Sequence, residues 1–84
     1  MVEIVPDEES QYPTVTAGGS AFTNFDGVMP EDRLIVLVNK VASANGWGKV
    51  KVVVDGRTVD KTFLDMTSVK DVSSVEVYPK VGGA

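Results

Sequence analysis

Lys49–Asp60, KVKVVVDGRTVD, is the stretch whose reading decides the fold. Its period is two. Val50, Val52 and Val54 fall on one face of a strand, and Lys49, Lys51 and Val53 on the other. Asp55-Gly56 then supplies a two-residue turn, because both central positions of such a turn need positive φ. A second strand therefore returns from Arg57 to about Lys61. One apolar face and one mixed face mean a sheet covered on one side only.

Upstream, the segment 30–45 must be weighed as helix or strand. Ile35, Val36 and Val38 are β-branched and favour a strand. Leu34, Leu37, Val38 and Val41 follow the i, i+3, i+4, i+7 stripe of a helix. Pro30 suits a first helical turn, and Glu31 and Asp32 there would complement the dipole. Asn45-Gly46 offers a left-handed stop. The balance predicts a helix over 30–45, with Ile35 and Val36 widening its apolar face.

Downstream, Phe63, Leu64 and Met66 sit in a connection of no strict period, and 67–71 reads as a helical turn. Ser74–Tyr78 alternates as a last strand, stopped by Pro79. At the other end, Val2-Glu3-Ile4-Val5 and Tyr12–Thr16 read as two strands of a hairpin joined by the acidic turn Pro6–Ser10. The segment 17–29 has neither period and reads as a long loop, with Phe22 and Phe25 folding back onto the core. The resulting order is strand, strand, helix, strand, strand, short turn, strand. That is an α+β roll of about five strands with one main helix on one face.

Composition narrows the function. The 84 residues allow one domain with one thin core. With neither cysteine nor histidine there is no thiolate or imidazole nucleophile, base or zinc ligand, so the chain is not expected to be an enzyme. The net charge is −4 and the 8 basic residues are scattered, which argues against nucleic acid. The longest apolar run, Leu34–Val38, is far short of the ~20 residues that span a bilayer. With no secretory leader at Met1–Ile4, the expectation is a cytoplasmic protein, monomeric by itself and away from membranes.

The element order, the Asp55-Gly56 hairpin, and Val75-Glu76-Val77-Tyr78-Pro79 feeding Gly82-Gly83 carry a resemblance. They resemble the β-grasp fold of ubiquitin-like proteins, above all the molybdopterin synthase small subunit, the thiamine sulfur carrier and the archaeal small modifier proteins. The resemblance covers roughly residues 30–83. It implies a β-grasp domain over 1–79 and a flexible tail over 80–84. It also implies that the Gly83 carboxylate is adenylated by a partner activating enzyme that uses ATP, the chain itself holding no cofactor. The product would be a thiocarboxylate for a sulfur-accepting partner, or an amide to a protein target. Gly82 would keep the tail slender enough for a narrow channel, since glycine has no Cβ.

Two features depart from that pattern. Ala84 follows the diglycine and must be trimmed before activation. The segment 17–29 is longer than many relatives carry. An alternative function follows from it: a non-catalytic β-grasp interaction module, or a structural subunit such as a viral one, that makes its contact through 17–29. A small ligand-binding regulator using the same loop is a third reading. Lys49, Lys51 and Val53 share an outer face with Glu76 and Tyr78 of the last strand. They form a solvated sheet surface or, in a carrier, a docking surface centred on Val53. Gly18-Gly19-Ser20 reads as a flexible loop before a phosphate nest. Asp26, Glu31 and Asp32 lack the spacing of a calcium loop and read as solvated acids. Trp47, between two glycines, reads as a cap on the core.

Overall fold

Two two-residue turns among the described residues are built alike. At Asp55-Gly56 φ is 49° and 85°, and at Gly18-Gly19 it is 60° and 91°. Both pairs turn with positive φ twice, the hand that suits a two-residue hairpin. The structure, a computed structural model, describes residues 12–80. The elements are β1 (Thr14–Ala17), β2 (Ser20–Ala21), α1 (Leu34–Asn45), β3 (Val50–Val54), β4 (Arg57–Val59), α2 (Lys61–Met66), a 3-10 turn (Val69–Asp71) and β5 (Ser74–Pro79).

The five strands form one mixed sheet in the order β2-β1-β5-β3-β4. β1 and β5 run parallel, with Val15 opposite Val75. β5 and β3 run antiparallel, with Val52 opposite Val77. Val15, Val52, Val54, Val75 and Val77 point to the face that α1 covers with Leu34, Leu37, Val38 and Val41. The sheet therefore has one dry face and one open face, as the period of 49–60 requires. This small α+β arrangement, a five-strand mixed sheet with one main helix, is compatible with a β-grasp. Among the described residues no helix is long and apolar enough to cross a membrane.

Several expectations are corrected. The strand expected at 12–16 is present as β1, but both its edges are taken, by β2 and by β5. Val2–Val5, expected as its hairpin partner, lie outside the described residues. Its hairpin partner is β2, inside the segment expected to be a loop. Gly18-Gly19 is thus the turn of that hairpin and neither a nest nor a slack loop. The rest of the segment is packed by its aromatics. Tyr12 stacks on Phe25 at 4.5 Å between ring centroids, and the Tyr12 hydroxyl donates to the Val28 carbonyl at 2.8 Å.

The helix begins at Leu34, not at Pro30. Tertiary hydrogen bonds draw the preceding turn away. The Leu34 N–H donates to the Thr67 carbonyl, Val69 N–H to the Asp32 carbonyl, and Lys70 N–H to the Pro30 carbonyl, at 2.8–3.0 Å. Arg33 is extended, bridges to Ser68, and its guanidinium donates to the buried Ser68 hydroxyl at 3.0 Å. Asp32 accepts from the Met29 N–H, so Glu31 and Asp32 precede the helix and do not lie in its first turn. At the other end Gly46 is left-handed, and the Trp47 N–H reaches back to the Ala42 carbonyl at 2.9 Å. That pairing closes the last carbonyls of the helix, and it seats Trp47 against the core. Val36 is exposed and does not widen the buried face, whereas Ile35 packs on the core.

The connection after β4 is also more ordered than its sequence period shows. The return strand ends at Val59, and α2 starts at once because the Asp60 carboxylate accepts from the Phe63 N–H at 3.0 Å. Leu64 is the one buried side chain of α2. Asp55 ties the β3–β4 turn to the start of β5. Its Oδ1 accepts from the Ser73 and Ser74 N–H groups, both at 2.9 Å.

Candidate functional site

Alternation along β3 and β5 sends odd-numbered β3 residues and even-numbered β5 residues to the open face. The register then sets them side by side: Lys51 faces Tyr78 and Val53 faces Glu76. Directly opposed residues in such a pair lie ~4.5–5.5 Å apart at Cβ. Four of the residues singled out in the sequence are therefore neighbours on one surface. Lys49 precedes β3. Its carbonyl accepts from the Lys80 N–H at 2.9 Å, which places it at the end of the sheet where β5 finishes. Gly82 and Gly83 lie outside the described residues.

Two further members follow from the register and were not singled out. Thr58 of β4 faces Val53, and Thr16 of β1 faces Glu76. The Thr58 position was readable, since a two-residue turn at Asp55-Gly56 fixes which residue returns opposite Val53. Thr16 was not, because nothing local says that β1 lies parallel beside β5.

The surface has one internal polar contact. The Tyr78 hydroxyl donates to Glu76 Oε1. This hydrogen bond raises the Tyr78 pKa above the usual 10.0, helped by partial desolvation and by the charge of the same carboxylate. At neutral pH Tyr78 is thus a neutral donor already committed to Glu76. Lys51 and Lys49 make no ion pair with another described residue; the one ion pair among those residues is Lys61–Asp65 on α2 at 2.9 Å. The face offers an apolar centre at Val53, an aromatic edge at Tyr78, a carboxylate and a free ammonium. Such a mixture can dock a protein.

Among the described residues, no group of three or more acidic side chains is placed to hold a metal ion. The Asp32 carboxylate is instead engaged locally, accepting from the Met29 N–H at 2.8 Å. No protein-family model, no curated protein and no solved structure matches this chain.

Proposed function

We propose that the chain is a ubiquitin-like β-grasp protein, a sulfur carrier or small protein modifier whose C-terminal diglycine is activated by a partner enzyme. The observation that carries the reading is the place of β5. It is the last strand and the central one, held on both sides by β1 and β3, and it delivers the chain through Pro79 and Lys80 toward Gly82-Gly83. A strand so anchored gives a tail a rigid root. The tail itself lacks Cβ atoms at the two positions that would enter a catalytic channel.

Once Ala84 is removed, the Gly83 carboxylate attacks the α-phosphorus of ATP in the partner's active site. Pyrophosphate leaves, and an acyl adenylate remains. Sulfide (HS⁻) or an amine then attacks the acyl carbon and displaces AMP with loss of a proton, giving a thiocarboxylate or an amide. The chain contributes the carboxyl group and a docking face of Lys51, Val53, Glu76 and Tyr78. The interaction-module reading finds less support, because Phe22, Phe25 and Val28 in the 17–29 segment are spent on the protein's own packing.

The test is ATP–pyrophosphate exchange by the host's activating enzyme with the chain ending at Gly83. Exchange should require that form, be lost with Ala84 retained, and weaken in Gly83→Ala and in Val53→Asp. Equal exchange with and without Ala84, or none with any form, refutes the reading.

A further inference from the structure

β4 is shorter than the strand it pairs with. Its last pair is Val59 with Val52, after which the chain leaves into α2. The Lys80 N–H donates to the Lys49 carbonyl and the Asp55 N–H to the Ser74 carbonyl, so Lys49, Lys51 and Val53 aim their backbone groups at β5. Val50, Val52 and Val54 therefore aim theirs at the β4 side. Val54 and Val52 meet Arg57 and Val59 there, while Val50 faces the gap where β4 has ended.

That gap is a groove of about 590 Å³ between α1, β3 and α2. Most of its wall is apolar, with Ile35 and Val38 from α1, Val50 and Val52 from β3, Val59, and Leu64 from α2, and Asn39 and Thr58 beside them. Its rim carries Lys51, Lys61 and Lys80 against a single acid, Asp60, whose carboxylate already caps α2. Lys61 is paired with Asp65, but Lys51 and Lys80 make no ion pair with a described residue. The local charge is thus positive on a chain whose net charge is −4.

We propose that this groove docks an extended, carboxylate-bearing strand of a partner protein. The Val50 N–H and C=O extend the ladder to it, its apolar side chains enter between α1 and β3, and its acid meets Lys51 and Lys80. An extended strand is the occupant that uses both the unpaired backbone and the apolar floor, and the rim selects its charge. This docking shares Lys51 with the face proposed for the activating enzyme but does not involve the tail, and neither ATP nor an activating enzyme enters its test.

The probe is an acetylated, amidated seven-residue peptide of alternating valine and threonine that ends in two aspartates, titrated into the full chain and followed by amide NMR. Saturable shifts are expected at Val50, Ile35, Val38 and Leu64, with the open-face residues Val53 and Glu76 little moved. Replacing the aspartates by lysines should weaken binding about tenfold or more, as should N-methylation of the peptide's alternate amides. The doubly reversed Lys51→Glu, Lys80→Glu protein should invert the preference and favour the lysine peptide, a change that loss of folding cannot imitate. Absence of shifts up to ~1 mM peptide, binding centred on Val53 and Glu76, indifference to peptide charge, or indifference to N-methylation would each overturn the proposal. Saturation by decanoate with none by the peptide would do so too, and would make the groove a site for small amphipathic acids.

Discussion

Val52 and Val53 are adjacent, identical in chemistry and on the same strand, yet the fold sends them to opposite faces. Val52 is 4% exposed beneath α1, and Val53 is half-buried on the open face. Truncating each to alanine removes the same two methyl groups and the same β-branch, so intrinsic strand propensity cancels in the comparison. At Val52 the lost transfer free energy is about 1.6 kcal/mol, taking ~0.8 per carbon. The void left beneath the helix raises the total to about 2–3 kcal/mol. At Val53 no cavity forms, and the cost should stay below about 1 kcal/mol. A chain of this size holds roughly 4–12 kcal/mol in all, so Val52→Ala removes a substantial share. At ~4–8 °C per kcal/mol for so small a domain, Val52→Ala should lower Tm by roughly 8–20 °C and Val53→Ala by a few degrees. Urea denaturation followed by Trp47 fluorescence measures both, with an unchanged slope as the sign that the two-state comparison holds. Equal losses, or a larger loss at Val53, would mean that the helix covers the other face. The register of β3 against β5 would then be wrong by one residue.

Two other outcomes follow from single contacts. A Cβ at Gly18 would lie 3.3 Å from Trp47 Cη2 at a left-handed φ of 60°, whereas one at Gly19 meets nothing within 4 Å. Both Gly18→Ala and Gly19→Ala should pay ~1–2 kcal/mol for the backbone, but only Gly18→Ala should also shift the emission of the single tryptophan; an unmoved spectrum would contradict the hairpin placed over Ala17–Ser20. In a Tyr12→Phe background, near-ultraviolet absorbance should show Tyr78 ionising above 10.0, and Glu76→Gln should bring it down. Because the folded state holds this proton more tightly than the unfolded chain, its contribution to stability is complete below pH 10 and is lost as pH rises through the raised value. A Tyr78 that titrates identically with and without the Glu76 carboxylate would refute the contact.

Much of the candidate surface was legible because two local rules fix it. Alternation says that Lys51 and Val53 share a face, and that Glu76 and Tyr78 share one. Neither rule says that the two pairs touch, for that depends on β3 and β5 being neighbours, some twenty residues apart in the chain. The groove was not legible at all. It exists because β4 stops at Val59, and β4 stops there because Asp60 caps a helix whose six residues show too little periodicity to announce it. The one available signal was Asp60 itself, an N-cap residue three positions before Phe63. The β2 strand had a signal as well, Gly-Gly between two β-permissive pairs, but two residues of strand are too short to show a period.

The sequence by itself determined what is local. It set the face alternation of 49–60, the apolar stripe Leu34–Val41, the turn at Asp55-Gly56 and the stop at Gly46, whereas the last strand runs through Pro79, which pairs with Val50, and does not stop before it. Each depends on residues within one turn or one hairpin, where side-chain period and allowed φ act directly. The tertiary structure alone decided the parallel pairing of β1 with β5 and the central place of β5. It also delayed α1 to Leu34, through bonds from Pro30, Asp32 and Arg33 to a segment more than thirty residues on. Those choices are made by hydrogen bonds and burial between distant parts of the chain. A backbone donor such as the Leu34 N–H takes whichever carbonyl the packed core brings to it, and no stretch of neighbouring residues encodes that partner.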